Sequence, residues 1–158
     1  MISIIAIGKI KEDFFEDAIK EYLKRLSAYV KVKIIELQDE KCPESLSDKQ
    51  QEIVKRKEGE RILSAIKRND YVITLEIKGN MTDSEGFSKI ISNLEVTGQS
   101  NIVFVIGGSL GLSQEVSKRA DMKISFSEMT FPHQLMRVIL LEQIYRAYKI
   151  SRCEPYHK

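Results

Sequence analysis

The 158-residue chain is poor in the features that mark the commoner enzyme classes. It has 2 cysteines, Cys42 and Cys153, with no CxxC and no histidine cluster beside either. That argues against a disulfide framework or a thiolate metal site, and two free thiols in a reducing cytoplasm are expected. No apolar run approaches the ~20 residues that span a bilayer. The opening MISIIAIGKI lacks the basic region and cleavage site of a signal peptide and reads as a first strand. An excess of one charge is also missing. Against 23 acidic residues stand 25 basic ones, a net charge of +2, which excludes a bulk electrostatic grip on nucleic acid. GxGxxG, a Walker lysine and a GxSxG elbow are all absent, so dinucleotide folds, phosphate-loop enzymes and serine hydrolases are disfavoured.

What is present is the composition of an ordinary globule, 42% hydrophobic and 30% charged, of a size for one domain over residues 1–158. Strand-like runs fall at Ile2–Ile7, Val32–Leu37, Tyr71–Glu76, Ile102–Ile106 and Lys123–Phe126. Helical periodicity fills the intervals, over Glu12–Tyr29, Ser47–Ile66, Ser84–Leu94, Ser113–Arg119 and Pro132–Ile150. Ser47 or Asp48, Ser84 and Ser113 are placed to open their helices. Alternating strands and helices predict an α/β fold with a mostly parallel sheet. Gln38–Leu46, with Cys42-Pro43, is the one mobile-looking loop.

Two segments concentrate the polar chemistry of the sheet. IVFVIGGSLG, Ile102 to Gly111, is an apolar strand ending in two glycines, which suits close approach of another group to the backbone. FSEMTFPHQ, Phe126 to Gln134, is a polar turn running into a helix at Pro132, rich in free main-chain donors and acceptors. Together they predict a pocket of backbone edges at the C-terminal end of the sheet. His133, in a first helical turn, reads as structural before it reads as a base. The last helix is apolar on nearly every side, through Leu135, Met136, Val138, Ile139, Leu140, Leu141, Ile144 and Tyr148, and at ~1.5 Å per residue runs about 28 Å. It is expected to be covered on several sides, by its own chain or by a second subunit. From Arg146 to Lys158, the bases Arg146, Lys149, Arg152 and Lys158 stand against one acid, Glu154, beside Tyr156 and His157. Aromatic and basic groups of that kind can stack on a base and hold a phosphate.

At these residues the chain resembles the ribosomal RNA large subunit methyltransferase H family of the SPOUT class. The likeness runs through IxAIGK at Ile4–Lys9, EYLKRL at Glu21–Leu26, KEGERIL at Lys57–Leu63 and LEIKG at Leu75–Gly79. It continues in FVIGGSLG, in SFSEMTFPHQLMRVILLEQIYRAYKI and in PYHK at the end. The resemblance implies an α/β knot: a mostly parallel sheet with helices on both faces and a C-terminal trefoil knot. It implies a cytoplasmic homodimer, without metal, that binds S-adenosylmethionine and methylates N3 of a pseudouridine in 23S ribosomal RNA on the assembled ribosome. It places cofactor contacts at Leu75, Gly107, Phe126, Ser127, Glu128, Met129, Thr130 and Phe131. Arg146, Tyr156 and His157 would meet the RNA, with His157 as base or proton relay and Arg146 stabilising the developing imide anion. A ribose methyltransferase of the same fold acting on tRNA, or a ribosome-associated binder without turnover, are the alternatives.

Overall fold

A computed structural model describes residues 1–157. The elements alternate along the chain as β1 (Ile2–Ile7), α1 (Asp13–Leu26), β2 (Val32–Leu37), α2 (Asp48–Ala65) and β3 (Tyr71–Met81). Then follow α3 (Ser84–Val96), β4 (Ile102–Ile106), α4 (Gln114–Arg119), β5 (Met122–Ser125) and α5 (His133–Ser151). The strands form one five-stranded sheet in the order β2-β1-β4-β3-β5, every pairing parallel. Parallel strands need covered faces, and the β-strand alternation supplies two. Ile4, Ala6, Phe104 and Ile73 point to the face packed by α1, α3 and α5. Ile5, Ile7, Val103, Val105 and Val72 point to the opposite face, with Ile62 of α2 and Val116 of α4.

Local signals set the helix starts. Ser47 forms a capping box with Gln50, Asp83 accepts a bond from the Gly86 N–H at 2.7 Å, and Ser113 caps α4 through the Val116 N–H. The strands and helices lie where the periodicity places them, with one informative departure. β3 runs five residues beyond Glu76, to Met81, because its extension bends over β5. Ile124 is registered with Leu75 before the bend and with Asn80 after it. A Cβ on Gly79 would lie 2.6 Å from the Ile124 carbonyl carbon, so only glycine permits that crossing.

The long last helix is covered within its own chain to a large extent. Leu140, Leu141, Ile144, Ala147 and Tyr148 are buried, and α5 packs against both α1 and α3. Arg137, fully buried in its first turns, donates from Nη2 to the Ile7 and Gly8 carbonyls at 2.9 and 2.8 Å and from Nη1 to Glu36 at 2.8 Å. This ties the start of α5 to the C-terminal ends of β1 and β2. Among the described residues no helix is long and apolar enough to cross a membrane, and no His, Cys, Asp and Glu cluster could hold a metal.

Candidate active site

In open parallel sheets, ligands bind beyond the C-terminal ends of the strands. Here a cavity of about 540 Å³ opens there, above β3, β4 and β5. Its walls are the ends of β3 and β4, the loop after β4, the turn after β5 and the first turn of α5. Of the expected cofactor residues, Leu75, Gly107, Phe126, Ser127, Met129, Thr130 and Phe131 all line it; Glu128 is exposed and does not. The turn is braced internally, with the Ser125 hydroxyl donating to the Ser127 carbonyl at 2.9 Å and the Met129 N–H donating to Ser127 Oγ at 3.0 Å. Phe126 is anchored edge-on against Phe87, ring centroids 5.5 Å apart.

The two glycines do a different job from the one the sequence suggests. Neither takes a positive φ; in this loop Gly111 does, at +81°. The loop doubles back, Gly111 N–H donating to the Gly108 carbonyl at 3.0 Å, and a Cβ on Gly107 would sit 2.9 Å from the Gly111 carbonyl carbon. A Cβ on Gly108 would sit 2.8 Å from Glu58 Oε2. Both glycines therefore make room for the protein's own backbone and for Glu58, and the loop they shape forms the cavity wall.

Glu76 is a cavity residue that periodicity did not single out. Its carboxylate accepts from the Thr74 hydroxyl at 2.7 Å and from the Ser117 hydroxyl at 3.1 Å. Thr74 and Glu76 alternate on one face of β3, a signal visible in the sequence, whereas Ser117 arrives from α4. His133 also lines the cavity, half-buried, and burial together with the Arg137 charge pushes its pKa below the ordinary 6.5. A second, small cavity lies behind it, walled by Asp39, Glu40, Cys42 and the buried Glu58, whose carboxyl is raised by burial. Among the described residues, no lysine or arginine lines the main cavity. Its volume lies within the ~300–1,000 Å³ typical of small-molecule sites. An apolar body with hydrogen-bonding edges fits this lining; a phosphate does not.

Arg146, Tyr156 and His157 form a second cluster. Arg146 donates from Nε and Nη2 to Glu142 Oε1, at 3.0 and 2.6 Å, and its guanidinium lies over the Tyr156 ring, 4.7 Å from the centroid. His157 Nδ1 lies 3.3 Å from Arg146 Nη1, and the Tyr156 hydroxyl donates to Glu142 at 3.2 Å. Burial, then contacts with Tyr22 and Glu142, push the Tyr156 phenol up to about 12, so it stays protonated near neutrality. The tail is latched by Glu154, which accepts from Tyr29 and Lys149, both at 2.6 Å. Glu142, one helical turn before Arg146, is the hub that the sequence reading left out. The cavity and this cluster occupy opposite ends of α5. Arg146 lies thirteen positions past His133, about 20 Å at ~1.5 Å per residue.

Comparison with known proteins covers the chain from the cavity segments to the tail. A family model described as a predicted SPOUT methyltransferase matches residues 1–157. Proteins named ribosomal RNA large subunit methyltransferase H from Clostridium kluyveri, Clostridium acetobutylicum and Clostridium perfringens are 57%, 59% and 60% identical over 157 residues, 99% of this chain and of each relative. A solved structure of a probable methylase family protein from Haemophilus influenzae Rd KW20 aligns with a TM-score of 0.54 at 11% identity, over 99% of this chain and 70% of that one, a likeness of fold. By its full-length match the chain belongs to the SPOUT methyltransferases, in the family of the ribosomal RNA large subunit methyltransferases H.

Proposed function

We propose that this protein uses S-adenosylmethionine to methylate N3 of a pseudouridine in 23S ribosomal RNA, acting on the assembled ribosome as a cytoplasmic homodimer with a knotted C-terminal segment. The observation that carries the reading is the full-length similarity to relatives named for ribosomal RNA methylation, which covers the stretches that hold the cavity and the tail cluster. Bound in the cavity, the cofactor supplies a methyl group that its sulfonium already makes electrophilic. The chain's own part is orientation. Main-chain groups of the 107–111 loop and the 126–131 turn hold the ligand, while Leu75, Ile106 and Phe126 exclude water.

The protonated imide nitrogen is a poor nucleophile, so a base is needed. Tyr156 keeps its proton and acts as a donor or stacking surface; His157 takes the N3 proton. Arg146, with Nη1 turned toward His157, stabilises the imide charge at a neighbouring carbonyl oxygen. These groups are about 20 Å along α5 from the cavity wall, so a partner's tail completes each site. Ile77 and Met129, which line the cavity and are 52% and 70% exposed, give that partner an apolar surface.

The test is single-turnover methyl transfer to ribosomes, separated subunits and free RNA, with the product nucleoside identified by mass spectrometry. Methylated pseudouridine base from ribosomes is expected. A methylated ribose, or transfer to free RNA alone, would overturn the assignment. His157→Ala should slow the ribosome reaction by about 10²–10⁴-fold; a wild-type rate removes His157 as the base.

A further inference from the structure

Among the described residues, the side chains lining the main cavity carry one formal charge, the Glu76 carboxylate. Its two oxygens each accept a hydroxyl, Oε1 from Thr74 and Oε2 from Ser117, which fixes the group on the wall between β3 and α4. Thr74 is fully buried, so the carboxylate stands on a rigid base. The rest of the described lining is uncharged apart from His133, apolar side chains and main chain with the hydroxyls of Ser109, Ser125, Ser127 and Thr130, and burial together with Arg137 disfavours His133 as a cation. A fixed anion in a partly desolvated site, with no basic neighbour on the wall, discriminates ligands by their charge.

We propose that Glu76 is a specificity residue that favours the sulfonium form of the cofactor over its neutral thioether product. The inference rests on the assignment of S-adenosylmethionine to this cavity. S-adenosylmethionine carries one positive charge more than S-adenosylhomocysteine, on the sulfur that loses the methyl group. Every other group is common to both. A carboxylate that attracts the sulfonium therefore tightens substrate relative to product, and transfer of the methyl group removes the attraction and helps release the spent cofactor. A carboxylate that instead held the ribose hydroxyls or the amino group would treat both ligands alike.

Isothermal titration of the full-length protein with each ligand separates these cases. Glu76→Gln removes the charge and keeps the shape; it is expected to weaken S-adenosylmethionine by roughly tenfold and S-adenosylhomocysteine by less than about twofold. Glu76→Asp retains the charge and should retain most of the preference. Ser117→Ala removes a hydroxyl and leaves the charge, so the ratio of the two affinities should hold. The wild-type preference should also narrow as salt is raised. Equal weakening of both ligands by Glu76→Gln, or none, overturns the proposal. Wild-type protein that binds neither ligand overturns the cofactor assignment itself. A thermal melt of each variant confirms that it is folded before titration.

Discussion

Arg137 shows why single residues in this protein resist reading from sequence. In a helix whose other buried residues are leucine, isoleucine, alanine and one tyrosine, it is 0% exposed, yet it makes three bonds of 2.8–2.9 Å to Ile7, Gly8 and Glu36. Those partners lie far away in the chain, on β1 and β2, so no local pattern announces them. Its charge then acts on His133, one turn earlier, which burial already disfavours as a cation. The sign follows directly. A histidine whose folded pKa is below 6.5 favours folding when neutral, so its contribution is present above pH 6.5 and is lost as pH falls through the folded value. Thermal melts from about pH 7.5 to about pH 5 should show the wild type losing stability relative to His133→Asn on acidification. Parallel pH profiles for the two proteins would refute a His133 that its surroundings disfavour as a cation. Glu76 and Glu142 are half legible: Thr74 and Arg146 stand at strand and helix spacing beside them, whereas Ser117 and Tyr156 reach them only in the folded chain.

At the scale of elements, by contrast, the sequence is explicit. Strands such as IVFVI are uniformly apolar because both faces are covered, and α1, with Ile19 and Leu26 buried at helical spacing, declares its inner side. The cavity segments were legible for a related reason: an apolar strand that halts at Gly107-Gly108 and a serine- and threonine-rich turn ahead of Pro132 are abrupt departures from periodicity. The extension of β3 was hidden, because EIKGNM is charged and carries a glycine, both of which read as a turn. It is ordered by its pairing with β5 and not by propensity, Asn80 and Met81 registering with Ile124 and Ser125. Gly79→Ala tests that crossing. The added carbon would lie 2.6 Å from one backbone atom of Ile124 and 2.8 Å from two others, and backbone yields poorly. A loss of about 1–3 kcal/mol is expected in denaturant unfolding. A midpoint unchanged from the wild type would mean that the extension does not wrap β5 closely.

The whole molecule is organised by α5. Its middle and end bury Leu140, Ile144 and Ala147 between α1 and α3, while Leu135, Val138 and Ile139 remain only partly covered by the chain. One end closes the cavity; the other carries Arg146 and the latched tail. A rigid helix holds these two clusters apart, so no bending of one chain brings them together, and a two-fold partner is the economical way to do so. Complementation decides whether it does. Leu75→Arg, which fills the cavity with a cation, and Arg146→Ala, which removes the tail's guanidinium, should each give an inactive homodimer. Co-expressed with different tags and purified through both, the two variants yield heterodimers that hold one intact cavity facing one intact tail. Such heterodimers should methylate ribosomes at about half the wild-type rate per dimer, since one of two symmetric sites is whole. If each cavity instead uses the tail of its own chain, every site in the heterodimer carries a lesion and activity stays at the level of the single variants. That outcome would leave the fold untouched and would require the tail to leave its latch at Glu154 and travel the length of α5 during the reaction.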